Sequence, residues 1–233
     1  MVTFVPEMRL WDDEGQRLYL TQEERAAFLN AADKEGREKR MMCHIFHFTG
    51  CRTSEVMEIA PYRVNMVEKE IIIRTIKKRK YDNEGRRKKP QFRAVPVPGE
   101  LVKDLDLVFD LKRSQADKKM NKTPLWDCSR STIWRTIKKV MAAAEIEGPQ
   151  ATCKGLRHAF AIAQLQGGAP ITLVRDLLGH ADIRTTEIYL KVIGREKRQL
   201  VMNAWRRPAE HPGGPGQFNQ GAAEWPGSGG YNY

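Results

Sequence analysis

The feature that most constrains this fold is a change of hydrophobic period between residues 70 and 97. Residues 70–76 are rich in β-branched isoleucine, residues 82–85 read Asp-Asn-Glu-Gly, and residues 92–97 form a second short apolar segment. Two β-prone segments separated by a turn signal predict a β-hairpin. The flanking segments carry helix start and stop signals instead. We therefore predict a mainly α-helical fold with a small antiparallel β-hairpin or sheet, an α+β arrangement.

Helix signals define the remaining elements. Thr21 and Glu24 match a capping box, which predicts a helix of about a dozen residues. In that helix, Ala27, Phe28 and Ala31 are expected on the buried side. The helices predicted after it span residues 38–49, 54–60, 99–114, 130–145, 154–166, 172–178, 183–191 and 195–205.

The chain is strongly basic, with 40 Lys and Arg against 29 Asp and Glu and a formal net charge of +11. Such an excess favours a polyanionic partner, because each neutralised phosphate releases counterions and adds affinity that does not depend on sequence. A basic protein that is merely soluble fits the same charge. With 233 residues, 41% of them hydrophobic, the chain can form one sizeable core or two small ones.

Three regions differ in composition. Residues 1–19 are expected to be an N-terminal extension, residues 20–207 one folded domain, and residues 208–233 a flexible tail. The last region holds seven glycines and four prolines and shows no apolar periodicity. Such a composition cannot bury enough apolar surface to offset the entropy of ordering.

The sequence does not indicate a membrane or secreted protein. No apolar run approaches the roughly 20 residues of a spanning helix, and the first residues are too acidic and polar for a signal peptide. The four cysteines form no C-x-x-C pair, which favours a reduced, cytoplasmic compartment with the thiols as small core residues. No cluster of Asp, Glu and His has metal-ligand spacing, so neither a metal nor another cofactor is expected.

Three separated patches carry residue types suited to phosphate chemistry. They read Thr-Gly-Cys-Arg-Thr-Ser-Glu ending at Glu55, Lys-Gly-Leu-Arg ending at Arg157, and Leu-Leu-Gly-His ending at His180. Tyr189 follows nine residues after the last patch. Taken singly, each has an ordinary interpretation. Arg52 is typical of a surface ion pair with Glu55, and Arg157 of a solvated helix face. His180 is typical of a helix C-cap, and Tyr189 of a core residue.

The order and spacing of the patches resemble the tyrosine recombinase (phage integrase) family, whose signature reads TG-x-R-x-x-E, H-x-x-R, LGH and a tyrosine nine residues further on. The resemblance covers residues 20–205. It implies a catalytic domain of that fold, a site-specific recombinase or integrase of mobile elements. Such an enzyme cuts and rejoins double-stranded DNA through a 3′-phosphotyrosyl intermediate, without metal or ATP. The catalytic residues that the resemblance implies are Arg52, Lys77, Lys154, Arg157, His180 and Tyr189.

The resemblance also implies a role for each of these side chains. Arg52 and Arg157 would clamp the non-bridging phosphate oxygens, because a planar guanidinium offers several donors at once. Tyr189 would be the nucleophile. Lys77, which directly follows the first apolar strand, would be the general acid for the leaving oxygen. His180 would hydrogen-bond the phosphate or help to position the tyrosine.

Lys154 departs from the signature, because the family usually has histidine at this position. A lysine can donate a hydrogen bond to a phosphate oxygen as a compact charge, but it serves poorly as a proton shuttle. The related type IB topoisomerases tolerate lysine at the matching place. His158 is not expected to substitute, because one step along a helix rotates a side chain by about 100°.

The predicted hairpin is unusually basic at its tip, with eight Lys or Arg among residues 77–89. Contact with the DNA backbone or a groove edge suits such a tip, although a solvated charged loop fits the same pattern. The residues expected to bind DNA, beside the catalytic lysine, are Lys78, Arg79, Lys80, Arg86, Arg87, Lys88 and Lys89.

Most members of the family carry a separate helical domain before the catalytic one. Since the capping box begins at residue 21, we expect either a fragment or a short form such as the fimbrial phase-variation invertases. The family implies a homo-oligomer, a tetramer on two DNA sites, and a cytoplasmic, nucleoid-associated location. Residues 195–205 are the candidate segment for packing onto a neighbouring protomer.

Three other functions stay open from the sequence. A type IB topoisomerase-like DNA relaxer is favoured slightly by Lys154, whereas the LGH patch and its spacing to Tyr189 favour a recombinase. A non-catalytic DNA-binding factor with a recombinase fold would be expected to have lost the nucleophile or an arginine. A helix-turn-helix regulator fits least, since no isolated pair of short helices carries the basic charge.

Overall fold

The computed structural model describes residues 9–76, 84–86 and 89–193, which form a mainly helical fold with a small antiparallel sheet. The predicted α+β fold class is confirmed. In chain order the elements are α1 (Gln22–Ala32), α2 (Arg37–Thr49), α3 (Thr53–Val56), a 3-10 turn (Pro61–Arg63), β1 (Val64–Asn65), β2 (Glu70–Thr75), β3 (Gln91–Pro96), α4 (Gly99–Phe109), α5 (Leu111–Ala116), a second 3-10 turn (Met120–Lys122), α6 (Arg130–Ala143), α7 (Cys153–Gln166), α8 (Ile171–Leu178), α9 (Arg184–Glu187) and α10 (Leu190–Ile193).

The strands predicted from the change of period pair as an antiparallel hairpin, and a short third strand joins them. The strand order is β1-β2-β3, and the register places Ile73 opposite Arg93. Ile71, Ile73 and Val95 are buried, as alternation along the strands requires. The sequence did not predict β1, because two residues are too few to show a period.

Four helices, α1, α2, α6 and α7, pack together around the main core. The capping box of α1 is present: Thr21 Oγ1 accepts from the Glu24 amide at 3.2 Å, and the Glu24 carboxylate accepts from the Thr21 amide at 2.9 Å. Phe28 is fully buried, but Ala27 is only half-buried. Ala32 is buried in its place, because a residue four positions after Phe28 lies on the same helix face.

Two predicted helices are interrupted in the structure. The segment 99–114 divides into α4 and α5 at Asp110, whose φ of 47° is left-handed and cannot continue a helix. The segment 183–191 divides into α9 and α10, with Tyr189 between them. There the Tyr189 amide donates to the Thr186 carbonyl at 3.1 Å, a bond to the third preceding residue that tightens the chain into a turn.

Several predictions fall on residues that the structure does not describe. These are part of the N-terminal extension, the helix at 195–205 and the tail at 208–233, so the domain boundaries stay a prediction. All four cysteines are free thiols; Cys43 and Cys51 are buried, and Cys128 and Cys153 are half-buried. Among the residues described, every helix is too short or too polar to span a bilayer.

Candidate active site

The first two patches line one pocket, and the third packs against it. The pocket has a volume of about 290 Å³ and lies where the start of α3 meets the starts of α6 and α7. Its lining residues are Cys51, Arg52, Thr53, Ser54, Arg130, Cys153, Lys154, Arg157 and His158. The described residues contain no cluster of three or more His, Cys, Asp or Glu side chains that could hold a metal ion.

Gly50 sets the position of the first patch. It ends α2 with a φ of 56°, and a β-carbon at this position would lie 2.5 Å from the Phe160 ring of α7. The close approach and the left-handed backbone both require glycine. The chain then turns into α3, where the Arg52 amide and guanidinium donate to the Glu55 carboxylate at 2.9 and 2.8 Å. The Arg52 side chain is 36% exposed, so it faces the pocket while paired.

Arg157 connects the first patch to the third. Its guanidinium donates to the Gly50 carbonyl at 2.7 Å and to the Leu178 carbonyl at 2.6 Å, and the residue is buried. Burial and the nearby Arg52 charge lower the pKa of Arg157 to about 9, so the side chain stays cationic near neutral pH. A guanidinium has five N–H donors, and these two bonds do not exhaust it. The solvated-face interpretation of Arg157 is therefore wrong.

Arg93 on β3 supports the site from behind, and sequence reasoning missed it. Its guanidinium donates to the Glu55 carboxylate at 2.6 and 3.3 Å, to the Leu177 carbonyl at 2.7 Å and to Thr75 Oγ1 at 3.0 Å. Burial acts to raise the pKa of Glu55, but hydrogen bonds from Arg93 and the surrounding arginine charges hold it at about 2. The signal in the sequence was an arginine at an inward-facing position of an alternating strand.

The glycine of the third patch is explained by the same arginine. Gly179 has a φ of 64°, and a β-carbon there would lie 2.7 Å from Thr75 Oγ1 and 2.9 Å from Arg93 Nη1. The C-cap of α8 is Gly179 rather than His180, and the amide of His180, one residue further on, donates to the Arg175 carbonyl at 3.0 Å.

His180 is buried, and its ring is oriented by a hydroxyl. Nδ1 lies 2.9 Å from Thr186 Oγ1, while Nε2 has no hydrogen-bond partner among the described residues. Burial, followed by the charges of Arg157 and Arg52, lowers the pKa of His180 to about 3, so the imidazole is neutral. Sequence reasoning did not single out Thr186, although it lies between the third patch and the tyrosine.

Tyr189 is fully buried at the turn between α9 and α10. Its hydroxyl lies 3.0 Å from Nδ1 of His158 on α7. Burial raises the pKa of Tyr189 above its ordinary value, while the charges of Arg157 and Arg52 act in the opposite direction. Burial, followed by the charges of Lys154 and Arg157, lowers the pKa of His158 to about 3.

His158 lies on the same helix face as Lys154, contrary to what its single step from Arg157 suggested. His158 is one step from Arg157, but it lies four positions after Lys154 and therefore on the same face of α7. Both side chains line the pocket, Lys154 exposed at its mouth and His158 buried within. The structure thus places a histidine near the predicted nucleophile, although not at the position expected from the signature.

The hairpin cations are mostly outside the described residues. The hairpin cations that the structure does not describe are Lys77, Lys78, Arg79, Lys80, Arg87 and Lys88. Arg86 and Lys89 are exposed, and Arg86 is ion-paired with Glu84. Arg130, at the start of α6, is an exposed cation lining the pocket that sequence reasoning missed. The sequence signal that could have identified Arg130 is a basic residue at the start of a helix that contains no acidic residue.

Comparisons with known proteins match most of the chain. The sequence profile of the phage integrase family matches residues 18–194. Tyrosine recombinase XerA from Pyrococcus furiosus is 28% identical over 191 residues, which are 79% of this chain and 61% of that protein. Tyrosine recombinase XerD from Staphylococcus saprophyticus is 30% identical over 180 residues, which are 73% of this chain and 56% of that protein. The chain thus spans less than two thirds of these relatives.

Solved structures match the same region. A crystal structure of XerA recombinase aligns with a TM-score of 0.62 and 25% identity, covering 83% of this chain and 67% of that one. The pre-cleavage complex of XerH recombinase with its difH substrate aligns with a TM-score of 0.58 and 20% identity over 81% and 59% of the two chains. The catalytic domain of bacteriophage HP1 integrase aligns with a TM-score of 0.54 and 22% identity over 80% and 95%. The last two likenesses establish the fold.

Proposed function

We propose, from the premise that this chain belongs to the phage integrase family, that it is a site-specific recombinase that cuts and rejoins DNA through a 3′-phosphotyrosyl intermediate. The family recognised from the signature is confirmed by the profile match and by the XerA and XerD relatives. The observation that carries the proposal is the position of Arg157. Its two carbonyl bonds hold the first and third patches together, and the charges of Arg157 and Arg52 both act to lower the pKa of Tyr189.

The pocket would hold the scissile phosphate. Arg52 and Arg157 would donate to the non-bridging oxygens, and Lys154 would add a third positive charge at the pocket mouth. Phosphoryl transfer concentrates negative charge on those oxygens, so fixed cationic donors stabilise the transition state more than the ground state. Removing one preorganised donor of this kind costs roughly 3–4 kcal/mol of transition-state stabilisation.

Tyr189 would attack the phosphorus and release a 5′-hydroxyl. The new phosphotyrosyl ester keeps the energy of the cut strand, so a second 5′-hydroxyl can rejoin it without ATP. We assign the proton for the leaving oxygen to Lys77 of the hairpin. With Nδ1 of the neutral ring accepting from the Thr186 hydroxyl, Nε2 of His180 would carry the proton and donate to the phosphate.

The proposed partner is double-stranded DNA. The net charge of +11 supports it, because cations near phosphates release bound counterions. The XerH match is a complex with its difH substrate, which supports DNA binding by this fold. We propose further that the hairpin cations contact the backbone and that four protomers assemble on two sites. The proposed domain spans residues 20–207, followed by the tail.

A type IB topoisomerase-like activity is the second candidate. It is favoured by Lys154, which is exposed at the mouth of the pocket where the family signature has histidine. Both activities share the covalent intermediate and differ in product. A supercoiled plasmid that carries two target sites would yield exchanged arms with a recombinase and relaxed circles alone with a topoisomerase.

The test is covalent capture. The protein is incubated with a pool of nicked DNA duplexes of varied sequence in the presence of a chelator, denatured in detergent, and the adducts are sequenced. We expect adducts with the native chain and none with Tyr189→Phe. The matched control is Tyr62→Phe, which alters an exposed tyrosine away from the pocket and should leave adduct formation unchanged. Absence of adducts from the native chain, with salt-sensitive DNA binding retained, would favour the non-catalytic DNA-binding factor.

A further inference from the structure

The nucleophile of this chain needs a proton acceptor that the signature position does not supply. Lys154 stands where the family signature has histidine, and a charged ammonium carries three donors and no lone pair. The arginines near Tyr189 are likewise donors only. A neutral imidazole, in contrast, presents one nitrogen that accepts a proton.

His158 meets the requirement by its position. Its Nδ1 atom lies 3.0 Å from the Tyr189 hydroxyl, within the range for direct proton transfer. Both residues are fully buried, so bulk water does not compete for this contact. His158 also lines the same pocket as Lys154 and Arg157, and its Nε2 atom has no hydrogen-bond partner in the described part of the chain.

We propose that His158 is the general base for Tyr189, a role that rests on the recombinase function proposed above. As the bond between Tyr189 Oη and phosphorus forms, the phenolic proton passes to Nδ1 of His158 and its electron pair stays on Oη. The bond from phosphorus to the 5′ oxygen breaks, and that oxygen takes a proton from an ammonium group, which we assign to Lys77. Rejoining reverses each transfer, and the imidazolium returns its proton to the departing phenolate.

The electrostatics of the pocket make the pKa of His158 depend on whether DNA is bound. Without DNA, burial and the charges of Lys154 and Arg157 lower the pKa of His158 to about 3, while burial raises that of Tyr189. The proton therefore stays on the phenol in the absence of DNA. A phosphodiester bound between Lys154 and Arg157 brings a negative charge that offsets theirs, so the pKa of His158 rises when the substrate is in place.

Single-turnover adduct formation on a nicked duplex tests the proposal with two substitutions. His158→Asn keeps a hydrogen-bond acceptor near the Nδ1 position but cannot hold the proton, so it separates positioning from proton transfer. We expect its rate at saturating DNA to fall by about 10²–10⁴-fold, the range typical of a lost general base, with the DNA dissociation constant unchanged. His158→Ala leaves a cavity, and added imidazole should restore a measurable part of its rate.

The control is His44→Asn on α2, the same chemical change at a half-buried histidine that pairs with Asp33 away from the pocket. It should react at the native rate. A His158→Asn rate within about threefold of native, or a His158→Ala rate unaffected by imidazole, would overturn the assignment of His158 as base. A native chain that forms no adduct at all would instead overturn the proposed recombinase function, so the two failures are distinguishable.

Discussion

Replacing Arg93 with methionine removes one partner of a buried ion pair and leaves the other in place. The Arg93 side chain is 7% exposed and that of Glu55 is fully buried, and the two are joined by hydrogen bonds of 2.6 and 3.3 Å. Removing one partner of such a pair typically costs 3–5 kcal/mol, or about 4 kcal/mol in the middle of that range, because the remaining charge is buried without compensation. Arg52 still donates to Glu55, which places the expected loss toward the lower end.

A second contribution comes from the Leu177 carbonyl, which loses its bond from Arg93 at 2.7 Å. An unsatisfied buried acceptor costs about 1–3 kcal/mol. We therefore expect Arg93→Met to lower the free energy of unfolding by about 3–5 kcal/mol in total, since the two terms overlap and Arg52 offsets part of the first. Urea unfolding followed by the helical circular dichroism signal measures this loss.

The matched control is Arg74→Met on the neighbouring strand. Arg74 pairs with Glu58, but its side chain is 40% exposed and its partner 28%, so the loss should stay below about 1 kcal/mol. The pH dependence gives a further check. The pKa of Glu55 is held at about 2, so the pair stabilises the native state above the carboxyl's ordinary pKa, and this stabilisation is lost as the pH falls toward 2. An Arg93→Met loss as small as that of Arg74→Met would refute the reasoning.

Three further predictions concern buried groups. His47, His158 and His180 each have a pKa lowered to about 3 in the native state. The unfolded chain therefore binds protons at a higher pH than the native chain does, and the native state loses stability as the pH falls from 6.5 toward 3. Urea unfolding at about pH 7 and about pH 5 should differ by up to about 2 kcal/mol per histidine, and equal stabilities would contradict this. Gly50→Ala should cost about 2–4 kcal/mol in the same assay through its φ of 56° and its close approach to a phenylalanine ring, and an unchanged midpoint would count against that packing. Thr186→Val, which removes the hydroxyl bonded to His180, should slow adduct formation by about tenfold, and a native rate would exclude that orientation.

The elements that the sequence predicted well are those whose signal is local. The capping box at Thr21 and the change of period at the β2–β3 hairpin each depend on residues within a few positions of one another. The patches around Arg52, Arg157 and His180 were recognised because their order and spacing resemble the family signature. Their glycines could be recognised in the sequence, but the contacts that require them, such as the Phe160 ring against Gly50, join distant segments.

The features that escaped prediction depend on tertiary contacts. Arg93 meets Glu55 across 38 positions of sequence, and no local pattern pairs a strand arginine with a helix carboxylate so far away. The contact of His158 with Tyr189 joins α7 to the turn between the last two short helices, and that turn was itself expected to be continuous helix. The expectation against His158 considered its single step from Arg157, whereas its spacing of four positions from Lys154 places those two side chains on one face of α7.

Tyr189 Oη is the proposed atom that joins protein to DNA, and the residue that carries the DNA can be identified directly. Trypsin cleavage after Arg184 and Lys191 releases residues 185–191, in which Tyr189 is the one tyrosine. After capture on a nicked duplex and nuclease trimming, mass spectrometry should find the nucleotide remnant on Tyr189 of this peptide. A remnant on another residue, or a covalent adduct that persists in Tyr189→Phe, would contradict Tyr189 as the nucleophile.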